Sequence, residues 1–399
     1  MTLWSDPIGF IAEWLRGVLT GWGMAGGLAN LLIALLGILV LILFAMGLAI
    51  FLVWVERKVV ARFQDRLGPN RLGPFGLFQP VADIIKLIIK EDITPFGADR
   101  FIYNLAPVLA LGSVIFLWAI LPLASKIYGT DLNVAVLYLV AAGALGTLSI
   151  IMGGWASNNK YALLGAFRMV AMMVSYEIPM LVALLIPTVL AGTMSVKGIA
   201  DAQGGMWFFI LSPLGMLIFL ISAIAELGRA PFDLNEAESE IVAGFHIEYT
   251  GMKFGLFYAG ELLHAFTFGG FLAVLFFGGY NFFGLEKYPL VGFLVFMLKA
   301  MIGYWVIMWV KYTMPRIRID HLLAFNWKFL TPLAFVVLVV TALLNILLVA
   351  TETWVYTLGM FLSNVVIAWI TVEILRAYSR GQRKAKGTAV QPAAQTTHH

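Results

Sequence analysis

Long runs without a single charged residue set the pattern of this chain. No Asp, Glu, Lys or Arg occurs from Gly17 to Val55, from Phe101 to Ser125, from Leu132 to Asn159 or from Ala202 to Ala225. Each run reaches the roughly 20 residues that carry an α-helix across the hydrocarbon of a bilayer. Strands of a membrane barrel alternate polar and apolar positions over about ten residues, and these continuous runs do not, so the backbone must close its hydrogen bonds within helices. The pattern predicts spans at about 27–55, 103–125, 133–156, 165–191, 206–226, 254–279, 289–311, 329–350 and 355–376. The fold class expected is all-α: a polytopic transmembrane helical bundle of about nine spans with interfacial amphipathic helices, forming one membrane domain over 1–399. Ahead of the first span, Trp4, Trp14 and Trp22 with Asp6 and Glu13 predict a lead-in at headgroup level. The first run is too long for a signal-peptide core and no basic segment precedes it, so no cleaved presequence is expected.

Composition agrees. The chain is 61% hydrophobic and 12% charged, against about a quarter charged in a soluble domain. It has no cysteine, which excludes disulfides and cysteine-ligated iron–sulfur clusters here. Of five histidines only His264 falls in an apolar run, so a membrane haem held by facing histidine pairs is not expected, nor any other redox centre or metal in this chain. Charge also orients the bundle. The segments 56–102, 157–168, 227–253, 311–328 and 376–399 hold 21 of the 26 lysines and arginines. By the positive-inside rule these segments face the cytoplasm, with the N-terminus outside and the C-terminus inside. The tail from 377 to 399 is basic, then small and polar, and predicts a topology anchor followed by disorder.

Two inside segments carry more than topology. The loop at 56–102 contains ERKVVARFQDRLGPNRLGPFGLFQP, in which Gly68-Pro69-Asn70, Gly73-Pro74 and Gly76 force successive turns. Gln79-Pro80 then starts a helix with proline in its first turn. Val81, Ile84, Ile85 and Ile88 share one face, with Asp83, Lys86 and Lys90 on the other, as an interfacial amphipathic helix requires. A simple basic anchor for anionic lipid is the competing reading. The second segment, 226–253, concentrates Glu226, Asp233, Glu236, Glu238, Glu240 and Glu248 against Arg229 and Lys253 alone. Crowded carboxylates raise one another's proton affinity and can store and relay protons; a solvated acidic loop is the alternative. Within the spans lie Glu177 beside Pro179, Glu261 with His264 one turn on, and Lys299. Intramembrane charge is costly, so function is the first reading, and a Glu–Lys pair that locks helices together is the second.

In ERKVVARFQDRLGPNRLGPFGLFQPVADIIKLIIKED, SYEIP, AELGRAPFDLNEAESEIVAGFHIEY and MPRIRIDHLLAFNWKFLTPLA the chain resembles the H-type membrane subunit of respiratory complex I, the counterpart of mitochondrial subunit 1. The resemblance covers about residues 27–350; Asn235 and Ile241 depart from the usual pattern, and the ninth span and tail extend beyond eight-helix members. It implies a subunit of a proton-translocating NADH:quinone oxidoreductase in a prokaryotic plasma membrane. Such a subunit carries no bound cofactor and takes quinone as substrate, while FMN, NADH and iron–sulfur clusters belong to partner subunits. The partners implied are the peripheral-arm quinone-site subunits, small membrane subunits and antiporter-like subunits, with membrane lipid around them and no nucleic acid. On this resemblance Arg57, Arg66, Asp83, Arg229 and Phe232 line or gate the quinone passage, with the 56–102 loop at its entrance, and Glu56 orients the adjacent arginine. Glu177, Glu226, Asp233, Glu236, Glu238, Glu240 and Glu261 carry proton coupling. Arg316, Arg318 and Asp320 are read first as structural. The rivals are the homologous membrane subunit of a hydrogenase or other electron-input dehydrogenase and, in a different class, a stand-alone ion transporter or a purely structural anchor. The chain shows no second copy of either loop motif, which a transporter's internal repeat would supply.

Overall fold

The computed structural model describes residues 6–233, 242–282, 284, 288–348 and 352–389. Glu236, Glu238 and Glu240 lie outside these residues. Helix α1 (Pro7–Gly21) begins with proline in its first turn and Asp6 accepting from the Gly9 N–H at 3.0 Å. It turns Ile8, Ile11 and Trp14 outward, as the interfacial lead-in requires. Helix α2 (Gly26–Phe63) is 38 residues long, about 57 Å at 1.5 Å per residue against a hydrocarbon core of about 30 Å. The expected end at 55 is therefore too early. Glu56, Arg57 and Arg62 ride on two further helical turns, beyond the apolar run, because nothing between Val55 and Phe63 breaks a helix.

The turn-rich segment folds back on α2. Gly76 has φ +75°, and a side chain there would meet the Pro69 carbonyl oxygen at 2.3 Å, so only glycine lets the two limbs of the loop touch. The Trp54 indole donates to the Phe75 carbonyl at 3.2 Å. Helix α3 (Gln79–Ile89) follows, with Val81, Ile85, Ile88 and Ile89 exposed together. Its apolar face thus looks outward, as toward lipid, rather than onto the bundle.

Helices α4 (Arg100–Trp118), α5 (Ala135–Ala156) and α6 (Lys160–Ala191) come next. Of the three prolines inside them, Pro107 and Pro179 free carbonyls that are satisfied from far along the chain. Pro107 frees the Tyr103 carbonyl, which accepts from the Tyr249 hydroxyl at 3.1 Å. Pro179 frees the Ser175 carbonyl, which accepts from the Asn326 amide at 2.6 Å.

The expected span at 206–226 is broken. After α7 (Val196–Ala202), α8 (Phe208–Leu211) is separated from α9 (Pro213–Glu226) by Ser212 at φ −138°, ψ 71°. Proline disfavours helical geometry in the residue before it. The 14 residues of α9 reach only about 21 Å, short of a full crossing. Helices α10 (Gly251–Phe276), α11 (Pro289–Thr313), the short α12 (Ile319–Phe325), α13 (Thr331–Leu348) and α14 (Thr353–Ala389) complete the bundle. Asn326–Leu330 links α12 to α13 as a π-helical segment. Eight stretches are thus long and apolar enough to cross a membrane, and the described residues contain no strand.

α10 is the axis: 83% of its most apolar stretch is buried, against 11% for α2 and α14. α10 and α11 approach at Gly269, where a side chain would sit 2.7 Å from the Ala300 carbonyl oxygen. α14 has a structural task, because its buried Asn364 donates to the Leu211 carbonyl at 3.2 Å, next to the break between α8 and α9. Its helix runs on to Ala389, past the point where disorder is expected. Arg376 pairs with Glu373 at 2.9 Å on that stretch, and Arg, Gln, Lys and Ala are sound helix formers.

Candidate functional site

The charged end of α2 delivers Glu56 into the bundle, where it is 4% exposed. One of its oxygens accepts from the Lys311 ammonium at 2.8 Å and from the Tyr312 hydroxyl at 2.5 Å, both at the end of α11. Arg229 follows α9 and is also fully enclosed. Its guanidinium stands 3.8 Å from Glu56 and 3.6 Å from Glu261 on α10. Burial works against its charge, but the two flanking carboxylates outweigh burial and raise the Arg229 pKa above its ordinary value, so the group stays protonated. The separations are loose for a direct hydrogen bond. Arg229 Nε and Nη1, Glu56 Oε2, the Tyr304 hydroxyl and both oxygens of Glu226 are buried with no hydrogen-bond partner among the described residues. So many unpaired polar atoms in one place require water or a ligand.

Two cavities meet this cluster. The larger, about 560 Å³, is lined by Glu56, Arg57, Arg66, the Gly68-Pro69 turn, Tyr258, Lys311 and Tyr312. The smaller, about 90 Å³, lies deeper and is lined by Glu226, Glu261, His246 and His264 together with Tyr258, Ser113 and Ser149 among apolar side chains. It has room for a few waters and polar groups to hold them. Arg57 on the wall of the larger cavity pairs with Asp83, which ties α2 to α3.

The sequence-derived residues divide accordingly. Arg57, Arg66 and Glu56 line one cavity; Asp83 does not line it but pairs with Arg57. Glu226 and Glu261 line the other. Arg229 does not form the passage wall but lies behind it, between the two acids Glu56 and Glu261. Phe232 is buried against Tyr176, ring centroids 5.2 Å apart, and does not line either cavity. The arginine that Glu56 faces is Arg229 from the distant loop, whereas Arg57, its neighbour in sequence, turns to Asp83. Glu177 is half-buried on α6. Lys299 does not pair with Glu177 or Glu261: its ammonium donates to the Phe277 and Asn281 carbonyls, each at 2.7 Å, at the opposite end of the bundle, with the Trp207 ring 4.8 Å away. Glu248 accepts from Asn159 at 2.7 Å and so braces the start of α6. Arg316, Arg318 and Asp320 line neither cavity. Their segment is fastened by the Ile317 N–H to the Pro231 carbonyl at 3.0 Å. Sequence reasoning missed Lys311, Tyr312, Tyr258 and Tyr304. Lys311 was visible only as one more positive-inside charge, and the tyrosines carry no charge to mark them.

This architecture, an all-α bundle built to cross a membrane and holding ionised side chains between two internal cavities at one end, is that of a polytopic membrane protein with a polar interior. Residues 36–342 match the family model described as NADH dehydrogenase. The chain is 47% identical over 290 residues to the H subunit of the NADH-quinone oxidoreductase of Dehalococcoides mccartyi strain CBDB1, covering 73% of this chain and 80% of the relative. It is 44% identical over 303 residues to the first of the numbered H subunits of Geobacter metallireducens, covering 74% and 91%. With the H subunit of Anoxybacillus flavithermus it shares 42% identity over 310 residues, covering 76% and 92%. The chain belongs to this NADH dehydrogenase family and is an integral membrane protein. The family match ends at 342, so α14 lies beyond it.

Proposed function

We propose that this chain forms the membrane side of the quinone chamber of a proton-translocating NADH:quinone oxidoreductase and the first part of its proton-coupling path. One observation carries the proposal: Arg229 stands between Glu56, on the wall of the larger cavity, and Glu261, on the wall of the smaller. The larger cavity has the size of a small-molecule site. Its wall includes the charged end of α2, which Arg57 ties to α3 with its exposed apolar face, and this supports an approach of a lipid-soluble quinone from the bilayer. A quinone that receives electrons gains negative charge on its oxygens, and Arg57, Arg66 and Lys311 stabilise that charge. The added charge draws on Arg229, which is then shared less with Glu261. The charge balance of the smaller cavity, which Glu261 lines, changes in consequence. Glu226, Glu177, Asp233 and the acids at 236, 238 and 240 extend the response toward antiporter-like partner subunits. NADH, FMN and iron–sulfur clusters belong to the peripheral-arm partners. The distribution of basic segments supports a charged end and C-terminus in the cytoplasm and an N-terminus outside a prokaryotic plasma membrane.

The test is Arg57→Ala in membranes. NADH:quinone reductase activity is expected to fall about a hundredfold, the lower end of what a lost charge-stabilising contact costs, while NADH oxidation by a hydrophilic acceptor persists and the complex stays assembled. Unchanged quinone reduction removes Arg57 from the passage. A lack of any NADH-linked activity dependent on the chain favours a different electron-input module.

A further inference from the structure

Among the described residues, Tyr258 is the one that lines both cavities. It stands on α10 one turn before Glu261, so its side chain lies on the same helix face as that acid. The larger cavity presents Glu56, Arg57, Lys311 and Tyr312 to it, and the smaller presents Glu226, Glu261 and His246. Its ring lies parallel to that of Phe254, centroids 6.4 Å apart. Buried tyrosines elsewhere in the bundle spend their hydroxyls on fixed partners: Tyr103 on the Glu248 carbonyl, Tyr176 on the Leu322 carbonyl, Tyr280 on Asp201. Tyr258 has no hydrogen-bond partner among the described residues, and its hydroxyl is not sealed off as that of Tyr304 is. A half-buried hydroxyl in a wall between two water-sized spaces, with donors and acceptors on both sides, is free to bond water or ligand in either.

We infer that Tyr258 is the proton-passing partition between the two cavities: its hydroxyl hands protons from the Glu226/Glu261 cavity to the larger one, where quinone is reduced. The inference rests on the function proposed above. Two-electron reduction of a quinone to quinol takes up two protons, and its electrons come from the enzyme's own donor chain. Each proton leaves the Tyr258 oxygen toward the larger cavity as the oxygen takes another from water in the smaller cavity, which Glu226 and Glu261 line. The tyrosine ends each transfer as it began, and the inner cavity is one proton poorer. Arg229 would then sense the chemistry through charge, while Tyr258 carries the matter that balances it. The phenolic oxygen is needed for this; the ring alone only packs.

The experiment uses the whole complex reconstituted in liposomes with Tyr258→Phe, Glu261→Gln or 3,5-difluorotyrosine at 258, measuring turnover and quinone KM against pH. Tyr258→Phe keeps the ring and its packing. It is expected to lower kcat about a hundredfold, at the lower edge of what a lost acid–base group costs, with quinone KM unchanged and proton uptake falling in step. The fluorinated residue, a stronger acid, is expected to restore turnover and move the pH–rate profile to lower pH. Full kcat in Tyr258→Phe overturns the inference, as does a raised KM at unchanged kcat, which would make Tyr258 a quinone contact only. An unmoved pH profile with difluorotyrosine overturns it too. Glu261→Gln separates the two levels. If it is fully active, the coupling reading fails; if it is impaired while Tyr258→Phe is not, only the role of Tyr258 fails.

Discussion

Asn326 donates its amide to the Ser175 carbonyl at 2.6 Å, across 151 positions of sequence, and so satisfies the one backbone group that Pro179 strips from α6 immediately beside Glu177. The proline removes a hydrogen bond from the helix that carries an intramembrane acid, and the asparagine replaces it in a medium without water. Asn326→Ala leaves a buried carbonyl unpaired, at a cost of about 1–3 kcal/mol. The expected result is a lower melting temperature of the solubilised complex; Asn326→Asp, which cannot donate when ionised, should do at least as much harm. Unchanged melting in both variants would mean that water reaches Ser175.

Arg229→Leu removes the shared cation and leaves Glu261 facing an apolar group, while Glu56 keeps Lys311. Breaking a fully buried ion pair from one side costs about 3–5 kcal/mol, and the 30% exposure of the Glu261 side chain lowers that cost here. Much less assembled complex is expected at equal expression. Adding Glu261→Gln in the same chain should recover assembly in part, because it removes the stranded charge, and should not recover quinone reduction.

Gly76→Ala tests the wall of the larger cavity. With φ at +75° and the Pro69 carbonyl 2.3 Å from the new carbon, the loop must shift, at a cost of about 1–3 kcal/mol for the backbone strain. Pro69 lines the cavity, so quinone KM is expected to rise several-fold with assembly intact. A variant with normal KM would detach this loop from quinone binding.

His246 supplies a pH signature. Burial lowers its pKa below the ordinary 6.5, and Asp233 acts in the opposite direction. At and below pH 6.5 the unfolded chain binds a proton here that the folded chain resists. Stability from this site is therefore complete above 6.5 and is lost as pH falls toward the lowered folded value. Melting temperature of the complex should decline over that window, and His246→Gln should flatten the decline. An identical pH dependence in the variant would assign it to other groups.

Helix positions were legible in the sequence because a bilayer permits so few backbone solutions: apolar length alone marks a span, and the turn residues of RLGPNRLGPFGLFQP announce a folded loop ahead of α3. The same rule misplaced the end of α2, since a charge stops a hydrophobic run without stopping a helix. It also read through the break at Ser212–Pro213, where hydropathy stays high although the backbone turns. Among the charged residues, the cost of an intramembrane charge singled out Glu177, Glu261 and Lys299, whereas Glu56 and Arg229 were marked by the family resemblance.

What the sequence determined by itself, then, was the class of fold, the family resemblance and the set of ionisable residues that a membrane must account for. What only the tertiary structure decided was their partners. Glu56 meets Arg229 and Lys311 rather than its neighbour Arg57, Lys299 turns to two carbonyls rather than to an acid, and uncharged Tyr258 stands in the wall between two cavities. Spans are set by local transfer free energy, which each segment carries alone. Pairings are set by which helix faces come together, and here that depends on contacts as distant in sequence as the 255 positions between Glu56 and Lys311.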